Sequence, residues 1–127
     1  MGDRRILTHF TNAAGLEGIT GLTPESLIVG QAVTINYGHF GVGTNEYLAE
    51  APGRIFVTEL GPEASSRQLA WIGVYESDGK QQFAISVTAE TLFENGIRVL
   101  PEDPVKSIFS IPANSTVSGE ITAIRRF

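Results

Sequence analysis

One imidazole stands out as a residue that could do chemistry. His9 ends a short apolar run near the start of the chain, Ile6-Leu7-Thr8-His9-Phe10, and this run predicts a β-strand. Thr11 or Asn12 follows at once and can cap a helix. Polar side chains at junctions between a strand and a helix often line ligand crevices. His9 is therefore the leading candidate for a functional side chain.

The motifs of several common enzyme classes are missing from the sequence. The chain has no cysteine, which excludes thiol nucleophiles, disulfides and cysteine-based metal sites. The second histidine, His39, lies in the glycine-rich stretch 38–43, whose spacing and context differ from those of a phosphate-binding loop. No HExxH pair or GxSxG elbow is present, so we predict no metal site and no serine triad. What remains is His9, the aromatic Phe56 on another predicted strand and scattered carboxylates, a set that suits a reaction needing no nucleophilic side chain.

Length and charge restrict the class of protein further. The 127 residues carry a net charge of -5, with 42% hydrophobic and 18% charged residues, which predicts one folded domain over 1–127. No apolar run is long enough for a membrane span or a signal peptide, so we expect no membrane partner. The acidic balance argues against a fold-wide nucleic-acid surface. The basic pairs Arg4-Arg5 and Arg125-Arg126 are interpreted as solvated chain termini.

The order of predicted elements indicates an α+β fold. Leu16 and Ile19 lie one helical turn apart and predict the inner face of a first helix. A proline at a first helical position predicts a second helix from Pro62, and a third is predicted at 89–94. The pattern predicts strands at 31–37, 54–58, 82–87, 97–100, 105–111 and 121–124, and a further short helix at 44–50. We therefore expect a mostly antiparallel sheet with two or three short helices.

Two stretches resemble a known protein family. They are His9-Phe10-Thr11 with its following helix, and 53–62 leading to Gln68. Both resemble the ADP-ribosyltransferase fold, and above all the His-Tyr-Asp-signature transferase domains at the C-terminal ends of bacterial polymorphic toxins. Segments similar to later strands of that family lie at 83–88, 108–112 and 118–121. The resemblance covers nearly the whole chain and implies a small ADP-ribosyltransferase-like α+β fold acting as one catalytic-type domain.

The resemblance implies a reaction and a set of roles. The chain would cleave the nicotinamide–ribose bond of its substrate NAD and transfer ADP-ribose to a macromolecule or to water. His9 would hydrogen-bond a ribose hydroxyl, backbone groups of Phe10 would hold the nicotinamide carboxamide, and Thr11 would support the same wall. Phe56 stands at the family's tyrosine position and would stack on nicotinamide without a hydroxyl, while Gln68 would help to close the site. These roles require the His9 and Phe56 side chains to face each other across a slot.

The acidic member of the family's signature has no counterpart at the expected position. The residues before the late strand, 104–107, include no acid. Glu120, Glu59 and the pair Glu102-Asp103 are the substitutes, and Glu120 ranks first because Ser118-Gly119 could bend it inward.

Other functions remain open on the sequence. The missing acid and the phenylalanine at position 56 also suit a non-catalytic NAD-binding or protein-interaction module that keeps the transferase fold. The acidic balance suits an immunity or scaffold protein with basic partners. If the chain is a toxin domain, as the resemblance implies, its partners would be an unidentified ADP-ribose acceptor and an immunity protein. The resemblance also implies action in the cytoplasm of the producing or target cell, with delivery as part of a larger secreted protein as one route.

Overall fold

A computed structural model describes residues 4–41 and 53–127. Within these ranges seven strands form one antiparallel sheet with three short helices, so the predicted α+β class is confirmed. The strands are β1 (Ile6–Thr11), β2 (Ala32–Phe40), β3 (Arg54–Thr58), β4 (Phe83–Thr88), β5 (Leu100–Asp103), β6 (Ile108–Pro112) and β7 (Ser115–Arg125). The helices are α1 (Ala13–Thr20), α2 (Ser66–Trp71) and α3 (Ala89–Glu94), and the strand order is β2-β7-β4-β1-β3-β6-β5.

The central strand β1 is covered on both faces of the sheet. Leu7 on one face belongs to the main core, and Phe10 on the other face belongs to a smaller core beneath α2. The main core is built from apolar side chains of the sheet, α1 and α3, among them Leu16, Ile19, Phe40, Ile55, Val57, Phe83, Ile85, Val87, Leu92, Ile111 and Ile121. Each such side chain stabilises the fold by about 1.5–3 kcal/mol through its removal from water. Burial on both faces explains why apolar residues occupy both faces of β1, at Leu7 and Phe10.

Helix α1 forms where the sequence predicted it. The Asn12 side chain accepts a hydrogen bond from the Gly15 amide at 2.9 Å and caps the first turn. Leu16 and Ile19 are both buried, which confirms the predicted inner face. Gly21 ends the helix in the left-handed region with a φ of 74°. The turn from β1 into α1 is therefore fixed by local sequence.

The sheet curls over its main-core face. Two strands separate β2 from β1 in the strand order, yet the Phe40 ring at the end of β2 lies 6.3 Å from the His9 ring, centroid to centroid. The register of β2 against β7 shifts beside Gly119, whose φ is 140°, and such irregularities bend and twist strands. The bend brings Phe40 over the end of β1.

Several predicted boundaries are wrong. Helix α2 begins at Ser66 rather than near Pro62, because Ser65 and Gln68 form a reciprocal capping box. The strand predicted at 97–100 is observed later in the chain, as β5 at Leu100–Asp103. The strand predicted at 105–111 begins only at Ile108, as β6, because Pro104–Lys106 forms a 3-10 turn. The closing strand β7 is longer than the predicted 121–124. The helix predicted at 44–50 lies outside the described residues.

None of the helices in the described ranges is long and apolar enough to cross a membrane.

Candidate functional site

The His9 imidazole is held by a backbone carbonyl of the neighbouring strand. Its Nδ1 atom lies 2.8 Å from the carbonyl oxygen of Phe56 on β3, and its ring meets the Phe40 ring edge-on at 77°. A carbonyl oxygen only accepts hydrogen bonds, so Nδ1 must carry the proton. In the neutral ring, Nε2 is then left as an acceptor. The side chain is thus oriented to accept a hydrogen bond from a ligand hydroxyl.

Burial favours the neutral form of this imidazole. It lowers the pKa of His9 below its ordinary value of 6.5. The hydrogen bond to the Phe56 carbonyl opposes this by raising the pKa, and the positive charge of Lys80 lowers it further. His9 is therefore uncharged at about pH 7.

The sheet opens between β1 and β3 beside His9. β1 pairs with β4 over its whole length, from Ile6 to Thr11, whereas its register with β3 is the single pair Thr8–Thr58. Beyond this pair, the carbonyl of Phe56 is bonded by the His9 ring instead of by the backbone of β1. A gap in the ladder between two central strands leaves backbone groups available to a ligand.

The backbone of Phe10 faces this opening. Alternate residues of a strand direct both backbone groups to the same side. The carbonyl of Arg5 accepts a hydrogen bond from the amide of Ala89, so the backbone groups of Arg5 point toward β4. Phe10 is an odd number of residues further along the strand, and its backbone groups therefore point the other way, toward β3. The N–H and C=O of Phe10 together offer one donor and one acceptor, the pair that a primary carboxamide requires.

The expectation that the His9 and Phe56 rings face each other is wrong. His9 shares the face of β1 that carries Leu7 and contacts Phe40, both in the main core. Ile55 and Val57 belong to the same core, so the side chain of Phe56 between them points to the opposite face. Phe56 reaches His9 through its backbone oxygen and not through its ring.

Thr11 and Gln68 lie on opposite sides of the molecule. Thr11 is buried on the His9 face and abuts α1 so closely that a Cβ on Gly15 would lie 1.8 Å from Thr11 Oγ1. Gln68 is exposed on α2, where its Oε1 accepts from the Ser65 amide at 2.9 Å. Because α2 covers the other face of the sheet, Gln68 caps its helix and does not approach His9.

Each substitute acid has a place away from His9. Glu120 is exposed next to the bend at Gly119, and no hydrogen bond or ion pair joins it to His9 within the described residues. Glu59 pairs with Arg5 at 3.1 Å, and Asp103 caps the 3-10 turn after β5. Glu102 accepts from Ser110 Oγ at 2.6 Å, and Ser110 lies opposite Phe56, on the face away from His9.

Arg126 corrects the interpretation of the C-terminal basic pair as solvated. Its guanidinium donates to the carbonyls of Pro62, Gln81 and Ala64 and stacks 5.3 Å from the centre of the Phe10 ring. Burial lowers the pKa of this arginine. It ties the loop before α2 to the strand that carries His9, and no local sequence pattern distinguishes it from an exposed terminal arginine.

Two surface grooves share Arg125, and neither is lined by His9, Phe10 or Phe56. Within 4–41 and 53–127, no cluster of three acidic or histidine side chains could hold a metal ion.

No protein-family model, curated protein or solved structure matches this chain.

Proposed function

We propose that this chain binds NAD at the opening between β1 and β3 and cleaves the nicotinamide–ribose bond, as an ADP-ribosyltransferase or an NAD glycohydrolase. The observation that supports this most strongly is the bond from His9 Nδ1 to the Phe56 carbonyl, 2.8 Å long. It leaves Nε2 as an acceptor on the residue that precedes Phe10, whose backbone offers a donor and an acceptor toward β3, and groups of these kinds suit a ribose hydroxyl and a carboxamide. The family resemblance of the segment around His9 points to the same substrate, but the Phe56 ring lies on the opposite face of the sheet, so the proposal keeps the roles of His9 and Phe10 and drops the stacking role of Phe56.

Phe10 and His9 would bind different parts of the substrate. The N–H of Phe10 would donate to the carboxamide oxygen of nicotinamide, and its C=O would accept from the carboxamide nitrogen. His9 Nε2 would accept from a hydroxyl of the adjoining ribose. Two anchors on adjacent groups would fix the nicotinamide–ribose bond in one orientation, which lowers the entropic part of the barrier. Thr11, packed against Gly15, would keep the end of β1 from shifting.

Cleavage also requires stabilisation of the positive charge that develops on the ribose as nicotinamide leaves. A nearby carboxylate would stabilise this charge. Of the substitute acids, Glu102 and Glu59 are held by Ser110 and Arg5, and Asp103 caps a 3-10 turn. Glu120 is exposed and makes no such bond within the described ranges, so it is the candidate among the four for this role.

A second candidate function is NAD binding without turnover. It is favoured by the position of the acids, since none of these four carboxylates bonds to the His9 ring in the described structure. A module of this kind would use the same Phe10 and His9 anchors for recognition. It would lack only a carboxylate that stabilises the transition state more than it stabilises bound NAD.

Release of nicotinamide tests the proposal. Purified protein is incubated with NAD, with and without cell lysate, and free nicotinamide is quantified by chromatography. We expect release by the wild type and its loss in His9→Ala, whereas His39→Ala, which removes the other imidazole from its contact with Thr116, keeps it. Calorimetry with NAD separates the two candidates: binding without release supports the module. Neither binding nor release would overturn both.

Transfer and hydrolysis are distinguished by the fate of ADP-ribose. A labelled NAD that marks lysate protein or nucleic acid indicates transfer to a macromolecule, and free ADP-ribose alone indicates hydrolysis. Loss of viability on expression, reversed by His9→Ala, would support a toxin acting in the cytoplasm. Healthy growth at the same expression level would count against it.

A further inference from the structure

Arg125 lies on the same face of the sheet as His9, two strands away from β1. Thr11 at the end of β1 pairs with Phe83 on β4, and Phe83 pairs in turn with Arg125 on β7. Directly paired residues of antiparallel strands share a face, and adjacent strands lie about 4.8 Å apart, so the Cα atoms of Thr11 and Arg125 are roughly 10 Å apart. His9 precedes Thr11 on this face of β1. The strand register thus places Arg125 near the end of β1 that carries the candidate site.

A groove opens between Arg125 and the turn that precedes β4. It has a volume of about 370 Å³, and its walls include Ala13, Glu76, Phe83, Arg125 and Phe127. Pockets of this size hold small ligands. Phe83 is buried, whereas the Phe127 side chain is 53% exposed. The groove therefore combines one cation, one carboxylate and an aromatic ring that a ligand can reach.

The two opposite charges of this groove are not paired with each other. Within 4–41 and 53–127, neither Arg125 nor Glu76 takes part in an ion pair. The guanidinium of Arg125 has five N–H donors, and its hydrogen bonds to the carbonyls of Phe127 and Pro24 are long, at 3.3 and 3.4 Å. Its planar fork suits a phosphate held through two parallel bonds. The groove thus offers a cation to an anionic group and, separately, an acceptor to ligand hydroxyls.

We propose that this groove binds the ADP half of NAD, with Arg125 on the diphosphate and Glu76 on the hydroxyls of the adenosine ribose. This inference rests on the proposed function, in which the nicotinamide half lies at Phe10 and His9. The nicotinamide ribose and the reach of an arginine side chain together span the distance between the two sites. A carboxylate that accepts from ribose hydroxyls is a common feature of NAD-binding proteins. The exposed Phe127 ring offers an apolar face to adenine.

The Glu76 carboxylate would make the groove selective between the two nicotinamide dinucleotides. NADP carries an additional phosphate on the 2′ oxygen of the adenosine ribose. This phosphate removes the hydroxyl that would donate to Glu76 and places a like charge beside the carboxylate, and both effects disfavour binding. We therefore expect the wild type to prefer NAD to NADP.

Calorimetry with ADP tests the groove without turnover. We expect the wild type to bind ADP and Arg125→Gln to weaken this binding by about tenfold or more, the range of a charged hydrogen bond. Arg125→Lys keeps the charge but not the fork, and it should lose less affinity. Arg98→Gln is the matched control, because Arg98 is exposed just before β5 at the far edge of the sheet, and it should bind ADP as the wild type does. Equal ADP affinity in the wild type and in folded Arg125→Gln would overturn the proposal.

Initial rates of nicotinamide release from NAD and from NADP test the role of Glu76. In Glu76→Gln, the ratio of kcat/KM for NAD to kcat/KM for NADP should fall severalfold. Glu94→Gln removes a carboxylate that is exposed at the end of α3, and it should keep the ratio of the wild type. A ratio that is the same in Glu76→Gln and the wild type would overturn the assignment of the adenosine ribose to Glu76.

The outcomes separate this inference from the proposed function. If the wild type cleaves NAD, and Arg125→Gln changes neither its KM for NAD nor its affinity for ADP, the proposal for the groove alone is overturned. If ADP binding depends on Arg125 while no nicotinamide is released, the proposed cleavage fails and the assignment of ADP to the groove stands. If the wild type binds neither ADP nor NAD, both proposals fail.

Discussion

His9 Nδ1 lies 2.8 Å from the carbonyl oxygen of Phe56, where a regular ladder between β1 and β3 would have placed a backbone amide. The His9 side chain thus satisfies the Phe56 carbonyl at the edge of β3, and this carbonyl in turn fixes the orientation of the ring. The same contact sets the tautomer of the ring and leaves Nε2 free to act as an acceptor. The hydrogen bond between His9 and Phe56 therefore both holds the two strands together and orients the imidazole for a ligand.

This relationship predicts a pH dependence of stability. The pKa of His9 is lowered in the folded protein, chiefly by burial, so the unfolded chain binds more protons as the pH falls below the ordinary value of 6.5. The contribution of His9 is fully present above that value, and it is lost as the pH falls from there through the lower folded pKa. Urea unfolding midpoints measured between about pH 5 and 8 should show the loss. In His9→Gln the loss of stability between these pH values should be smaller by the contribution of His9. The same change of stability with pH in the variant and the wild type would refute the lowered pKa of His9.

The orientation of Phe56 predicts unequal effects of two substitutions on NAD affinity. Phe56→Leu removes the ring and keeps the carbonyl that orients His9, so we expect a smaller loss of affinity than in His9→Ala, measured by calorimetry on both variants. Stacking of this ring on nicotinamide would require the opposite order. An equal or larger loss in Phe56→Leu would therefore restore the stacking role that the family resemblance implied.

The close contact between α1 and β1 predicts opposite signs for two glycine substitutions. A Cβ at Gly15 would clash with Thr11 Oγ1 at 1.8 Å, so Gly15→Ala should destabilise the fold by about 1–3 kcal/mol. At Gly18 a Cβ would meet nothing within 4 Å, and Gly18→Ala should stabilise the fold by up to about 1 kcal/mol through helix propensity. Urea denaturation of both variants checks the pair. Stabilisation by both would show that Thr11 does not pack against Gly15.

The carbonyl bonds of Arg126 predict a structural role for one member of the terminal basic pair. Arg126→Met removes donors from the carbonyls of Pro62, Gln81 and Ala64, and the expected loss is about 2 kcal/mol or more of unfolding free energy. Within the described part of the chain, the Arg125 guanidinium makes two long hydrogen bonds, 3.3 Å to the Phe127 carbonyl and 3.4 Å to that of Pro24. Arg125→Met is therefore the matched control and should cost less. Equal costs measured by chemical denaturation would argue that Arg126 is solvated like its neighbour.

Some of this fold could be read from the sequence because the signals are local. The cap at Asn12, the spacing of Leu16 and Ile19 and the alternation of Phe83, Ile85 and Val87 each act within a few residues, and the structure has all three. Helix α2 begins after the capping box of Ser65 and Gln68 and not at the proline at position 62, because the box satisfies the first backbone amides of the helix. The shift of β5 and β6 follows from the 3-10 turn at Pro104–Lys106.

The geometry of the site depends on pairing between distant strands. Whether the ring of Phe56 faces His9 is decided by the face of β3 on which residue 56 lies, and moving one residue along a strand reverses it. The curl that brings Phe40 to His9 depends on an irregularity between β2 and β7. The guanidinium of Arg126 reaches the Phe10 ring near the end of β1 from far along the chain. No spacing within a segment encodes such contacts.

NMR with NAD as titrant tests the central claim, that the opening between β1 and β3 is the binding site. We expect the largest changes at the backbone amides of Phe10 and Phe56 and at the Nε2 resonance of His9, with one dissociation constant for all three. Changes confined to the grooves beside Arg125, or a spectrum unaltered by NAD at any concentration, would contradict it.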